Sequence, residues 1–98
     1  MREAPVDISV VLSTYNRASM LPAALDALLA QRTAIVYEVI LVDNNSTDGT
    51  RELAARYVAA HPERVRYVFE RQQGLSYGRN TGIAAARGAI VAFTDDDV

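Results

Sequence analysis

Four short apolar runs alternate with three segments of helical periodicity, and this alternation constrains the fold of the chain more than any other feature. The apolar runs show little polar alternation, which is typical of strands that are covered on both faces. Strands joined by helical crossovers form parallel sheets with right-handed connections. The sequence therefore predicts an α/β protein with a Rossmann-like three-layer α/β/α architecture and a mainly parallel four-stranded sheet. The predicted strands comprise residues 8–13, 37–42, 65–69 and 89–93.

The first two helices have recognisable start and stop signals. Leucines at helical spacing indicate the first helix, for which Ser19 is the predicted N-cap and Pro22 lies in the tolerated first turn. The second helix is predicted to run from about residue 48 to residue 60. His61 precedes Pro62, which marks the end of this helix, and we assign the histidine no catalytic role.

The third helical segment, within residues 74–88, contains two glycines four positions apart, Gly78 and Gly82. Each costs about 1 kcal/mol of helix propensity relative to alanine, so the bare surface they create has a packing or binding purpose. Close packing on the sheet is the favoured interpretation, and close approach of a ligand is the alternative. Gly88 is the predicted glycine stop at the end of the helix.

The fourth apolar run leads directly into three consecutive carboxylates, Asp95, Asp96 and Asp97. Adjacent carboxylates repel one another unless a cation neutralises part of their charge. No histidine or cysteine lies nearby, and hard oxygen ligands favour Mg²⁺ or Mn²⁺ over Zn²⁺. For the run taken alone, a solvated acidic turn is the alternative. The sequence thus predicts a metal site at the edge of the sheet.

Other polar side chains follow the predicted strands, and the carboxyl ends of parallel strands open on the same edge of a sheet. Tyr15 suits stacking on a base, Asp43 suits a base N–H or a ribose hydroxyl, and Arg79 suits a phosphate. Each also has a structural alternative: Tyr15 covers the core, Asp43 closes a turn, and Arg79 pairs with an aspartate. Their shared location favours a nucleotide site.

Several classes of protein are excluded or disfavoured. The turn after the first strand contains no glycine, which argues against a dinucleotide-binding Rossmann motif, and neither a P-loop nor any lysine is present. The net charge of −2 and the scattered arginines argue against a nucleic-acid partner. No apolar run approaches the roughly 20 residues of a transmembrane helix. We expect a cytoplasmic protein, and action at the inner face of a membrane stays open for a full-length form.

The motifs resemble the amino-terminal half of a family 2 glycosyltransferase with the GT-A fold. The resemblance covers nearly the whole chain and rests on four segments in the expected order: ISVVLSTYNR, VILVDNNSTDG, GLSYGRNTG and AIVAFTDDD. It implies strand order 3-2-1-4 and an inverting, metal-dependent transfer of a sugar from a nucleoside diphosphate sugar to an acceptor, which the sequence does not identify.

The resemblance also implies roles for individual residues. Asp97 is the implied principal metal ligand, Asp95 is a second ligand, and the metal is Mn²⁺ or Mg²⁺. Asp96 faces the ribose, and Arg79 lies near the base or the diphosphate. The implied nucleotide-sugar-binding residues are Ser13, Thr14, Tyr15, Asp43, Arg79 and Asp96.

In the family, the acceptor-binding half and the catalytic general base follow the acidic motif, whereas this sequence extends one residue beyond it. We therefore expect residues 1–98 to form a single truncated GT-A domain that binds the donor nucleotide but does not transfer sugar efficiently. No residue of the chain is assigned as the catalytic base. The fourth strand would then lie at the edge of the sheet and favour a homodimer through that edge.

Two other functions remain open at this stage. One is a non-enzymatic module that binds a nucleotide or another subunit, since the general base is missing. The other is a nucleotidyltransferase of related fold, but such proteins carry a glycine-rich loop after the first strand, and residues 13–19 contain no glycine.

Overall fold

The computed structural model describes residues 5–95, with Asp95 described by its backbone. The strands are β1 (Ile8–Thr14), β2 (Tyr37–Asp43), β3 (Val65–Phe69) and β4 (Ile90–Asp95), and the helices are α1 (Leu21–Leu29), α2 (Thr50–Ala60) and α3 (Leu75–Ala85). They alternate along the chain as predicted. Within residues 5–95, no helix has the length and apolar character needed to cross a membrane.

The four strands form one parallel sheet in the order β3-β2-β1-β4, which confirms the predicted topology. In the register of the sheet, Thr14 at the end of β1 pairs with Asp43 at the end of β2. On the other side of β1, Ser13 pairs with Asp95 at the end of β4. The carboxyl ends of these three strands therefore meet at one edge, as expected for a parallel sheet.

Helices cover both faces of the sheet. Alternate residues of β1 and β2 point to opposite faces, so Leu12 and Leu41 pack with α1 and α2, whereas Val11 and Ile40 pack on the α3 side. Burial of each such side chain contributes about 1.5–3 kcal/mol to folding. The helices are thereby fixed on the sheet, and the loops at its carboxyl edge are anchored at both ends.

Close packing on the sheet is confirmed as the purpose of the two helical glycines. A Cβ atom added at Gly78 would lie 2.5 Å from the Ser13 Oγ, and one added at Gly82 would lie 2.3 Å from the Val11 Cγ1. The backbone of α3 therefore lies directly on β1. This contact brings the start of α3 to the end of β1.

Two predicted helix boundaries are wrong. Ser19 does not cap α1, because the N-cap is Met20 and the amides of Met20 and Leu21 donate to the Arg17 carbonyl at 2.9 and 3.0 Å. Gly88 does not end α3, whose C-cap is Ala86 in an extended conformation. Gly88 instead permits close contact with β1, since a Cβ atom there would lie 2.7 Å from the Ser9 nitrogen. A local backbone turn at Arg17 takes the place of the predicted cap at Ser19, and close contact with β1 explains the glycine at position 88.

Candidate functional site

A cleft of about 330 Å³ opens where β1 and β2 end and α3 begins. Three of the predicted nucleotide-binding residues, Ser13, Thr14 and Tyr15, line it together. Tyr15 is 48% exposed, so its ring is available to a ligand and does not cover the core. The other lining residues are Arg17, Asn44, Gln73, Gly74 and Leu75. The cleft thus combines hydroxyl, amide, guanidinium and aromatic groups, which suit a polar ligand that carries a ring.

Asp43 is fully buried below the cleft. Its Oδ1 accepts a hydrogen bond from the Ser46 amide at 2.9 Å, and its Oδ2 accepts one from the Tyr67 hydroxyl at 2.6 Å. In this structure the carboxylate closes the loop after β2, which is the turn-closing alternative left open by the sequence. A contact between Asp43 and a nucleotide base stays a prediction.

Arg79 lies on the exposed surface of α3, outside the described lining of the cleft. Its guanidinium carbon lies 5.3 Å from the centre of the Phe93 ring, within the range of a cation–π contact. Phe93 belongs to β4, so this contact holds Arg79 beside the strand that leads to the acidic run. Its contact with a diphosphate stays a prediction.

The predicted metal ligands lie at the limit of the described chain. Asp96 and Asp97 are outside the described residues, and of Asp95 only the backbone position at the end of β4 is given, where it pairs with Ser13. Among the side chains that the structure describes, no group of three or more histidines, aspartates and glutamates is placed to hold a metal ion. The carboxylate oxygens of the acidic run are donors that Mn²⁺ and Mg²⁺ prefer, and metal binding by this run stays a prediction.

The loop after β1 is held against the loop after β2. Asn16 adopts a left-handed conformation with φ of 50°, which asparagine tolerates better than most residues. Its Oδ1 accepts hydrogen bonds from the amides of Thr47 at 2.7 Å and Asp48 at 3.3 Å. In return, Asp48 accepts one from the Ala18 amide at 3.1 Å. These contacts fix the chain directly after Tyr15 without using cleft-lining side chains.

Sequence patterns assigned no role to five of the lining residues: Arg17, Asn44, Gln73, Gly74 and Leu75. The loop before α3 supplies two of them and the first residue of α3 a third, and their position becomes apparent only when α3 is packed on the sheet. Gly74 carried the one usable signal, because a glycine before a helical segment indicates an unusual backbone conformation. Its φ is 138°, a value that other residues rarely adopt.

Glu38 is a second feature that the sequence did not reveal. It lies within β2, is 1% exposed, and sits five residues before Asp43, roughly 16 Å along the strand from the cleft. Burial raises the pKa of Glu38, but hydrogen bonds from Ser9, Arg66 and Arg87 lower it more strongly, to about 2. A single charged residue inside an apolar strand was the available signal. Because Glu38 lies far from the cleft, we assign it a role in stabilising the fold and none in ligand binding.

The sequence is similar to known glycosyltransferases over nearly its whole length. Residues 9–98 match the family described as Glycosyl transferase family 2. The glycosyltransferase AglE of Haloferax volcanii is 40% identical over 91 residues, which cover 92% of this chain and 30% of AglE.

Two solved structures extend the likeness to the fold. The mannosyltransferase PcManGT from Pyrobaculum calidifontis, in complex with GDP-Man and Mn²⁺, has a TM-score of 0.85 and 33% identity, covering 96% of this chain and 28% of that protein. Glucosyl-3-phosphoglycerate synthase from Mycobacterium tuberculosis, with Mn²⁺, UDP and glucosyl-3-phosphoglycerate, has a TM-score of 0.76 and 26% identity, covering 93% and 33%. The chain thus spans 28% to 33% of the three compared proteins.

Proposed function

The chain belongs to glycosyl transferase family 2, and on this premise we propose that it forms the donor-binding part of an enzyme that transfers sugar from a nucleoside diphosphate sugar. One observation carries the proposal. Ser13, Thr14 and Tyr15 line a cleft at the edge of the sheet where β4, beside β1, leads into the acidic run. This arrangement would hold the base near Tyr15 and the diphosphate near the aspartates.

The cleft residues would divide the recognition of the donor among them. The Tyr15 ring would stack on the base, and the hydroxyls of Ser13 and Thr14 would exchange hydrogen bonds with the nucleoside. Asp43 would reach the base only if the loop that it closes were displaced, because the side chain is fully buried. Arg79 would reach the diphosphate by leaving the Phe93 ring.

A divalent cation would complete the donor site, with Asp95 and Asp97 as ligands and Asp96 toward the ribose. When bound, Mn²⁺ or Mg²⁺ would offset the negative charge that develops on the diphosphate leaving group. The carboxylate oxygens of the acidic run suit either ion, and the complex of PcManGT with GDP-Man and Mn²⁺ supports the choice of metal.

An inverting transfer needs a general base that deprotonates the acceptor hydroxyl. The described residues that line the cleft include no carboxylate and no histidine. We therefore propose that residues 1–98 act as a donor-binding domain and that the base and the acceptor site come from other parts of the enzyme. Sugar transfer by the purified chain at the rate of a complete enzyme would contradict this division.

The donor site is tested by calorimetric titration of the chain with UDP and then GDP, with and without Mn²⁺. We expect Mn²⁺-dependent binding of one nucleotide, and we expect Asp97→Asn to weaken it at least about tenfold, or ~1.4 kcal/mol, because a ligand carboxylate is lost. Glu63→Gln is the matched control, since Glu63 is an exposed carboxylate outside the cleft lining. Equal affinities of Asp97→Asn and the unchanged chain would contradict the proposed site.

We also propose that the chain self-associates through β4, which lies at the edge of the sheet. Ile90 is 60% exposed and Phe93 is 44% exposed, and unpaired edge strands with apolar side chains pair readily with a second copy. Light scattering should give a dimer for the unchanged chain and a monomer for Ile90→Lys. Ile35→Lys, at an exposed position outside the sheet, should remain dimeric. A monomeric unchanged chain at high concentration would overturn this proposal.

A further inference from the structure

We infer that Asn44 is a positioning residue that sets the wall of the cleft formed by residues 73–75, and this inference rests on the proposed donor site. This wall comes from the loop between β3 and α3 and from the first residue of α3, whereas the opposite wall is the end of β1. Asn44 lies between the two, as the first residue after β2, and its backbone and side chain together connect them.

The backbone of Asn44 is tied to β1. Its amide donates a 2.8 Å hydrogen bond to the carbonyl of Thr14, which lines the cleft. Asn44 is 6% exposed, so water has little access to its polar groups and the protein must satisfy them. The residue therefore has a fixed position relative to Ser13, Thr14 and Tyr15.

The side chain of Asn44 holds the loop on the opposite side. Its Nδ2 donates to the carbonyl of Gln72 at 2.6 Å and to that of Glu70 at 3.4 Å. Its Oδ1 accepts from the amide of Gly74 at 2.9 Å. One amide group thus satisfies a donor and two acceptors of the loop, which requires both the oxygen and the nitrogen of asparagine.

At Gly74, the loop between β3 and α3 has few stabilising contacts within itself. That residue has a φ of 138° and is the N-cap of α3, with no side-chain capping bond at this end of the helix. Glu70 stabilises the earlier part of the loop, because its Oε2 accepts from the Gln72 amide at 2.8 Å and its Oε1 from the Thr81 hydroxyl. The Asn44 contact is what joins Gly74 to β2.

Both polar groups of the Asn44 side chain are engaged with the loop, so we assign it a positioning role and no direct contact with the donor. Its loss should move residues 73–75 relative to Tyr15. The expected consequence is weaker nucleotide binding by a protein that is still folded, because a loop that is no longer held in place must be ordered when the nucleotide binds.

The test compares Asn44→Ala and Asn44→Asp with the unchanged chain. Asn44→Ala removes both contacts, whereas Asn44→Asp keeps the acceptor for Gly74 but turns an oxygen toward the carbonyls of Gln72 and Glu70. We expect both to raise the Kd for UDP or GDP with Mn²⁺ by about tenfold at a temperature where each is folded. If Asn44→Ala does not fold, Asn44→Asp decides the question.

Ser9→Ala is the matched control for a purely structural effect. Ser9 is buried, its hydroxyl accepts from the Gly88 amide at 2.8 Å, and it lies in the opposite half of β1 from the cleft. This variant should lose stability while the Kd of the folded protein stays within about twofold of the unchanged value. Unchanged affinity in both Asn44 variants would overturn the inference.

Hydrogen exchange of the Gly74 amide, followed by NMR, gives a readout that does not need nucleotide. Asn44→Ala should accelerate it at least about tenfold while strand amides of β1 and β2 keep their rates. If the unchanged chain binds neither nucleotide, the proposed function fails, and the Gly74 exchange rate alone decides whether Asn44 sets this wall. An unchanged rate would overturn the inference.

Discussion

Glu38→Gln is expected to lower the free energy of unfolding at neutral pH by about 3 kcal/mol. Glu38 is 1% exposed, and its carboxylate accepts hydrogen bonds from the Ser9 hydroxyl at 2.5 Å and the Arg87 amide at 2.8 Å. It also forms ion pairs with Arg66 at 2.9 Å and Arg87 at 3.1 Å. The neutral amide keeps the size of the side chain but removes the charge. Its NH₂ group cannot accept a hydrogen bond from the hydroxyl, amide and guanidinium donors that surround it.

The location of this cluster explains why its loss should affect the whole fold. Arg66 belongs to β3, Ser9 to β1, and Arg87 to the connection between α3 and β4. Arg66 also donates to the carbonyl of Ala85 at the end of α3, at 2.8 Å. A single carboxylate on β2 therefore links β1, β3 and the segment between α3 and β4, and Arg66 extends the cluster to the end of α3.

The contribution of Glu38 should depend on pH in a defined direction. Its pKa in the folded chain is about 2, below the ordinary value of 4.5, so folding favours the charged form. The stabilisation is present above the ordinary value and is lost as the pH falls toward 2. Urea unfolding at several pH values should show the unchanged chain and Glu38→Gln differing most near pH 7 and converging near pH 2.

Glu63→Gln is the control for this experiment, because it removes a carboxylate at an exposed position. Its stability should remain within about 0.5 kcal/mol of the unchanged chain at every pH. A constant difference between Glu38→Gln and the unchanged chain from pH 7 to pH 2 would contradict an electrostatic role and leave only a packing effect.

Gly82→Val is expected to destabilise the fold by about 3 kcal/mol. A Cβ atom at this position would lie 2.3 Å from the Val11 Cγ1 and 2.9 Å from its Cγ2. Val11 is 1% exposed, and a β-branched side chain in a packed strand has few alternative rotamers. Because neither side chain can rotate away from the clash, α3 must move away from β1. This movement disturbs the packing that places the start of α3 at the cleft.

Two comparisons isolate this steric cause. Ala84→Val places the same residue at an exposed position of α3 and should cost only about 0.5 kcal/mol, through helix propensity. Val11→Ala combined with Gly82→Val should be more stable than the sum of the two single effects, with a coupling of about 1–3 kcal/mol, measured by urea unfolding. Strict additivity would show that the two residues do not collide.

Much of the architecture was predictable because it follows from local pattern. The apolar runs located all four strands to within one or two residues, and β3 was predicted with its observed bounds. The glycine pair in α3 indicated close packing, which the contacts with Ser13 and Val11 confirm. Capping was less predictable, because the turn before α1 and the end of α3 use backbone contacts that leave no mark at Ser19 or Gly88.

By itself, the sequence determined the alternation of strands and helices, the placement of polar residues at the strand ends, and the family resemblance that the comparison bears out. These properties depend on residues near one another in the chain. Tertiary structure alone decided that Asp43 accepts a hydrogen bond from Tyr67, that Asn44 holds Gly74, and that Glu38 is buried among arginines. These contacts join residues 24 to 49 positions apart, and they exist only once strand register and helix packing have brought the side chains together.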